Sequence, residues 1–458
     1  MKLFHNFKIN LIISVFLFIS LSVVFGSFSS ASGEEAEKTY ILTAGKWGKQ
    51  QNAAVITAGG TVTFSHGEIG VGIVVSSAPD FLEKALASQA FTDGAEDMMI
   101  EWQPPTEVVK FDDADVTPGD ETFFFLQWHL DAIEAPAAWD AGFTGAGVRI
   151  AVLDGGMPAD HNDIAPNLDF AASASFVPGF NFDEDVPGFR HAGHVAGIAA
   201  APDNGLGTIG VAPEATIIGV KVLHDGSGSF GWIIQGIEYA SRSLAAGGAG
   251  ADIINMSLRG IFCKGGGAGP LVAALNKTIN TATKRGVLVI SAAGNDMLDV
   301  DHLWDCMVTP AESGNGIAIS ATGPLGWALG NMNFRRSAHY TNYGNSLVHV
   351  AAPGGDWVLP SNDPCTVGLI TRPCWVFDMV FSVWGVDAGI HYYTWAAGTS
   401  AATPVVAGVA ALIKQRFPNI SVGALKNKLA NTADDEGKPG HDPFYGRGFV
   451  NALRAVLE

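Results

Sequence analysis

From Val148 onward the apolar residues fall into short runs separated by longer amphipathic stretches. Val148-Arg149-Ile150-Ala151-Val152-Leu153 is nearly continuous in apolar residues, the pattern of a strand covered on both faces. Thr216 to Val222, Asp252 to Met256 and Val287 to Ser291 repeat it. Helical stretches lie between them, at Gly231 to Ser243 and Leu271 to Arg285. This alternation predicts an α/β fold with a doubly wound, mostly parallel sheet. Further on, Tyr392 to Trp395 reads as the end of a strand. Gly398-Thr399-Ser400-Ala401-Ala402-Thr403-Pro404 follows, then a buried helix from Val405 to Ile413. Gly398 permits a tight turn there, and Pro404 is expected near the helix start, where a missing N–H is tolerated.

Upstream the pattern is different. Tyr40 to Thr43, Thr61 to Phe64 and Gly70 to Val75 read as strands, and Asp80 to Gln89 as an amphipathic helix capped by Asp80. They describe a small α+β domain. Pro104 to Glu121, with Asp112, Asp113, Asp115, Asp120 and Glu121 among its residues and Pro118-Gly119, reads as an exposed acidic linker. At the start of the chain, Lys2 and Lys8 precede an apolar run from Leu11 to Phe25, and mostly small residues fill Gly26 to Gly33. That is the pattern of a secretory signal peptide, with an apolar run too short to span a bilayer. Cleavage after Ala31 is the first choice and near Gly26 the second. The expected partition is therefore a signal peptide at 1–31, a small domain at 33–103, the linker at 104–121 and the α/β domain at 122–458.

Composition narrows the function. The chain has 458 residues, 48% of them hydrophobic and 16% charged, enough for a large core. Its formal net charge of −19 disfavours nucleic acid or an anionic membrane surface as partner. No second segment reads as membrane-spanning. An exported chain meets oxidising surroundings, so Cys263, Cys306, Cys365 and Cys374 are expected in two disulfides, with three connectivities open. Their spacing does not suit zinc.

In parallel sheets chemistry gathers beyond the carboxyl ends of strands. Asp154 ends the first strand, His191 opens a small-residue helix, Asn295 ends the run from Val287, and Ser400 sits at a strand-to-helix turn. Singly these are a cap, a core histidine, a turn former and an N-cap. Together they supply a nucleophile, a base, a carboxylate to fix the base and a side-chain N–H for a developing oxyanion.

With these residues in place the chain resembles the subtilisin-like serine proteases. The motifs are Ala151-Val152-Leu153-Asp154-Gly155-Gly156, His191-Ala192-Gly193-His194-Val195-Ala196-Gly197, Ala292-Ala293-Gly294-Asn295 and Gly398 to Pro404. Gly210 to Pro213, Ile254 to Leu258 and Ala352-Pro353-Gly354 add to them. The order Asp, His, Ser is that family's. The resemblance implies a secreted serine endopeptidase needing no cofactor for its chemistry and acting on proteins or peptides as a monomer without a membrane anchor. In it Asp154 orients, His191 is base then acid, Ser400 attacks and Asn295 binds the oxyanion. His194 would be a structural partner of the catalytic turn. Ser257, Leu258, Arg259, Ala292 and Gly294 would flank the substrate, the two segments walling its first pocket. The segment Thr39 to Gln103 looks like the family's inhibitory propeptide, which makes the chain a self-processed zymogen. Asp163 with Pro202, Asn204, Leu206 and Thr208 resembles part of a calcium site, though phenylalanines stand where a glutamine ligand is usual, and a metal-free turn remains equally open. On such a fold Cys263 and Cys306 lie along one pocket rim, so Cys263–Cys306 and Cys365–Cys374 are the expected bonds. Ala192, Gly193, Ala401 and Arg259 depart from the family's usual residues, and 356–379 is an insertion. A silent binding protein on the same fold is the alternative; a dinucleotide-binding enzyme fails for want of a Gly-x-Gly-x-x-Gly turn after the first strand.

Overall fold

A computed structural model describes residues 36–102, 107–111, 123–186, 190–263 and 266–458. The expected signal peptide lies outside these residues, as does most of the linker. Residues 37–458 form one compact unit.

The chain first builds a four-stranded antiparallel sheet. Its elements are β1 (Lys38–Thr43), α1 (Lys49–Thr57), β2 (Thr61–His66), β3 (Val71–Ser76), α2 (Phe81–Ala87) and β4 (Asp93–Glu96), in strand order β2-β3-β1-β4. The helix α1 escaped the sequence reading because its first turn, Lys49-Gln50-Gln51-Asn52, is polar and it buries only Val55. Asp80 precedes α2 but makes no capping hydrogen bond; its carboxylate pairs with Lys84 at 2.8 Å instead. Two short strands follow, β5 (Met99–Glu101) and β6 (Glu107–Phe111). The second corrects the expectation of an exposed linker, because residues 107–111 are paired with another strand.

Beyond them come α3 (Trp128–Ala132), α4 (Ala135–Asp140), β7 (Arg149–Asp154), β8 (Ala174–Ser175), α5 (His191–Ala200), β9 (Thr216–Lys221), β10 (Ser227–Ser229) and α6 (Phe230–Ser241). The chain continues through β11 (Ile253–Met256), β12 (Gly260–Cys263), α7 (Gly269–Lys284), β13 (Leu288–Ala292), β14 (Cys306–Thr309), β15 (Ile317–Thr322) and β16 (Val348–Pro353). The central sheet runs β16-β15-β13-β11-β7-β9-β8, with every neighbouring pair parallel. The α/β expectation holds. Its inner strands β11, β13 and β15 are buried at every position, as unbroken apolar runs require. One apolar cluster covers each face.

The last part holds β17 (Pro364–Val367), β18 (Ile370–Pro373), β19 (Val380–Asp387), β20 (Ile390–Ala397), α8 (Thr399–Arg416), α9 (Val422–Asn431) and α10 (Ala452–Leu457). The strands β19, β20 and β6 form an antiparallel sheet. It brings a strand from each side of the expected domain boundary together, directly before the helix that carries Ser400.

Candidate active site

Asp154 is the last residue of β7, at the carboxyl edge of the sheet, and is fully buried. One carboxylate oxygen accepts from the N–H of Gly155 at 2.7 Å; the other lies 2.8 Å from Nδ1 of His191. That contact fixes the imidazole at the first position of α5, and with Asp154 as acceptor Nδ1 carries the proton. Helix α5 packs against α8, whose second residue is Ser400.

The start of α8 corrects two expectations. Gly398 is extended, with φ 168°, so no left-handed turn is needed there. Pro404 lies well inside α8 rather than at its start. A proline has no N–H, so the carbonyl of Ser400, four residues earlier, loses its helical donor. The hydroxyl of Ser257 takes that place, donating to the Ser400 carbonyl at 2.8 Å. A defect in the helix ladder thus ties the end of β11 to Ser400.

Asn295 is held just as firmly. Its side-chain oxygen accepts from the N–H of Thr399 at 2.8 Å and from the Thr399 hydroxyl at 2.6 Å. The atom facing a backbone N–H must be the oxygen, which assigns the other end of the amide as its donor nitrogen. Gly294 before it has φ +105°, and a Cβ there would stand 2.3 Å from Nδ2 of Asn342. Only glycine fits. Ala292 is fully buried, as are Ser257 and Leu258.

Lying against this site is a piece of the chain itself. The strand β5 pairs antiparallel with β10. Trp102 after it donates its N–H to Gly226 at 2.9 Å, and its carbonyl accepts from the N–H of Arg259 at 2.7 Å. Its ring is completely buried, 5.0 Å from Phe230 and 5.7 Å from Phe262, and Nε1 donates to the carbonyl of Gly228 at 2.9 Å. On the other side, Glu107 of β6 is in register with Ala397, three residues before Ser400.

Residues 145–448 match the Subtilase family profile. M-protease from Shouchella clausii is 35% identical over 346 residues, covering 75% of this chain and 73% of that protein. Subtilisin BL from Lederbergia lenta is 36% identical over 332 residues, 72% of this chain and 98% of that one. The chain belongs to the subtilase family. It is a serine-type endopeptidase. A solved protease from Pseudoalteromonas arctica matches with a TM-score of 0.58 at 30% identity, over 74% of this chain and 99% of that one. The epidermin leader peptide processing serine protease of Staphylococcus aureus matches in fold with a TM-score of 0.70 at 22% identity, over 92% and 98%.

Other parts of this subtilase also differ from expectation. His194 bonds the carbonyl of Val380 at 3.1 Å, on β19, rather than the turn at Ser400, and the Ser382 hydroxyl donates to its carbonyl. Burial lowers its pKa to about 3. Gly193 is explained by the same strand: a Cβ there would stand 2.5 Å from the Trp384 carbonyl. The cysteines, by contrast, pair as expected, Cys263–Cys306 and Cys365–Cys374. The first has a Cα separation of 3.9 Å, shorter than the ~4.4–6.8 Å range common for disulfides. Its cysteines face each other directly across the β12–β14 ladder.

The loop at 202–208 is already engaged. One oxygen of Asp163 accepts from the Thr208 N–H at 2.8 Å, the Thr208 hydroxyl at 3.1 Å and the Tyr393 phenol at 3.1 Å. Asn204 spends its amide on Leu206 and Asn162, and the N–H of Phe123 takes the Gly207 carbonyl at 2.8 Å. One buried oxygen of Asp163 is left, and burial pushes the carboxyl up to about 6. The expected calcium set is one carboxylate, one amide and backbone carbonyls, and of these one Asp163 oxygen and the Asn204 amide oxygen already hold protein donors. Two residues the sequence reading gave no role complete the site: Thr399, beside Ser400 in the Gly-Thr-Ser motif, and Asp296, next to Asn295.

Proposed function

We propose that this subtilase is an exported, self-processing zymogen that cuts peptide bonds with Ser400, His191, Asp154 and Asn295. The observation that carries the reading is the chain's own segment at the site, with β5 and Trp102 on one side and β6 on the other. This is how an extended substrate would cross the cleft, and a maturation bond between Trp102 and Glu107 is consistent with that path.

In the reaction, the Ser400 hydroxyl attacks the substrate carbonyl carbon and His191 accepts its proton at Nε2. Asp154, bonded to Nδ1–H, keeps the ring in the useful tautomer and offsets the imidazolium charge. The carbonyl oxygen gains negative charge opposite the side-chain nitrogen of Asn295 and the first-turn N–H of Ser400, at the positive end of α8. His191 returns the proton to the leaving amine, and water then repeats the sequence on the acyl-serine. The cutting requires no metal. Export is supported by the residue pattern before Ala31 and by two disulfides; among the described residues no helix is long and apolar enough to cross a membrane. Labelling with a serine-directed phosphonyl fluoride tests the assignment: modification maps to Ser400 and abolishes activity. Full activity after complete labelling elsewhere would refute it.

A further inference from the structure

A lysine without contact to water stands beside Asp154. Lys221 is the last residue of β9, and across the parallel ladder its partner on β7 is Asp154. Its side chain is fully buried. Nζ donates to Asp185 Oδ2 at 2.8 Å and to the Leu223 carbonyl at 2.7 Å. Asp185 is only 4% exposed and does more than hold Nζ. It accepts from the N–H of Gly156 at 2.7 Å, two residues past Asp154, and from the N–H of Asp225 at 3.0 Å. A Cβ at Gly156 would stand 2.6 Å from the Glu184 carbonyl, so the turn after β7 and the segment ahead of α5 touch here. Burial by itself lowers the pKa of the Lys221 ammonium, and Asp185, then Asp154, act against that.

We infer that the buried Lys221–Asp185 pair sets the pH below which His191 stops working as a base. The inference rests on the peptidase reading of the site. A positive charge behind Asp154 favours its carboxylate and opposes a second positive charge on the imidazole. Asp185 fixes that charge in place and partly offsets it. Lys221, fully buried, cannot reach a substrate and acts through Asp154 and His191 alone. The other ionisable groups near His191 are placed differently. Its own helix brings His194 and α3 brings His129, both kept neutral by burial with pKa values of about 3. Arg190 precedes α5, with its side chain along β19 at Gly385. On β19 Asp387 is exposed, and on β20 His391 and Tyr393 face Asn162 and Asp163. Lys414 and Arg416 lie at the far end of α8, on Asp252 and the Phe143 ring. Glu184 and His224 flank the pair itself, His224 Nδ1 3.3 Å from Asp185 Oδ1.

The experiment follows kcat/KM of the matured protein on one peptide amide between about pH 5 and 9, where the acid limb reports the base of the free enzyme. Lys221→Met moves that limb up by roughly half a pH unit or more, and Asp185→Asn moves it down. Combining the two variants brings the limb back towards wild type, and Lys221→Arg leaves it in place. A merely structural role would lower activity or stability without moving the limb in opposite directions. Because His224 touches Asp185 and is itself titratable, both variants are repeated with His224→Gln, and the opposite displacements persist. Should Lys221→Met fail to fold, Asp185→Asn and Lys221→Arg, which leave no unpaired carboxylate, carry the test. Limbs that stay at the wild-type pH, or move the same way, in active, folded variants overturn the proposal. Failure of the underlying reading looks different: wild type and Ser400→Ala would then be equally inert at every pH.

Discussion

The small sheet of residues 38–96 and the central sheet are both β-structure packed on helices, yet they are built to different standards. The inner strands of the large sheet are buried on both sides, and α5 and α8 lie along it with almost no exposed side chain. In the small sheet β2 alternates between exposed and half-buried along its whole length. Its own core is a short set including Tyr40, Leu42, Val55, Val74 and Phe81. It meets the rest through a narrow apolar seam, Ile41, Ile69, Val71 and Ile73 joining the cluster of Phe230 and Leu271. Polar ties ring the seam: Lys277 to the Ala44 carbonyl at 3.2 Å, Arg285 to His66 at 2.9 Å, and the Gly231 N–H to Asp97 at 3.1 Å. Such ties exchange readily with water. The contrast fits one region meant to leave and another meant to stay.

The largest expected effect comes from Ser400→Ala. On the zymogen reading the two regions remain one chain, and the exported product runs at precursor length with peptidase activity at background. Normal-length product from a protease-free host would break the comparison at its root.

A smaller effect is expected at the seam. Asp97 places a carboxylate oxygen on the N–H of Gly231, in the first turn of α6, where the helix dipole favours a negative charge. Asp97→Ala removes a charged hydrogen bond worth about 1.5–3 kcal/mol. In the cut but undissociated complex, release of the small region should therefore quicken at least roughly tenfold, followed by the appearance of activity. An unchanged release rate would place the hold in the apolar seam instead.

How much of this was legible in the residues follows the same division. The buried strands and the four chemical residues could be read directly, because a strand covered on both faces leaves an unbroken apolar signature and the motifs sit at its ends. The small region was harder. The helix α1 buries a single side chain, so no 3.6-residue stripe marks it. The strand β6 lies in an acid-rich stretch and exists because β20 offers it an edge. The inner placement of Pro404 was hidden too, since its tolerance depends on Ser257, 147 positions earlier by number (404 − 257), supplying the missing donor. The Lys221–Asp185 pair is a tertiary contact between residues 36 positions apart.

The large region should also carry most of the acid sensitivity. Burial lowers the pKa of His129 and of His194 to about 3 in the folded protein. In the unfolded chain both titrate near the ordinary histidine value of 6.5. As pH falls below 6.5 the unfolded state takes up protons that the folded state refuses. Stability is thus full above that pH and drains away from about 6.5 towards about 3. Each histidine contributes a slope of about 1.4 kcal/mol per pH unit in that window. Urea unfolding of Ser400→Ala, which prevents self-digestion, should show a falling midpoint from pH 7 to 5. Adding His129→Leu should flatten the fall by roughly a quarter, because burial also lowers His161 and His194 to about 3 and His349 to about 4. An unaltered slope would mean that His129 is not held neutral.

The smallest effect tests the loop at 202–208, where the large region meets β20. Tyr393 reaches from β20 to Asp163, so this tie, like β6, depends on the sheet that precedes Ser400. Tyr393→Phe removes one of three donors to the same carboxylate oxygen, and Thr208 supplies the other two. Because the oxygen keeps those partners, the cost should be near ~1 kcal/mol, read as a small drop in the midpoint of unfolding. A chelator should do less still. With one oxygen of the Asp163 carboxylate, the Asn204 amide and the Gly207 carbonyl engaged by protein donors, the loop holds together without calcium, and EDTA should leave the Tm of Ser400→Ala within about 1 °C, below the ~2–4 °C that 1 kcal/mol moves even a domain of about 150–250 residues. A fall of several degrees in EDTA, reversed by calcium, would show that the loop rearranges around a cation and that Tyr393 merely caps one side of the ion's carboxylate.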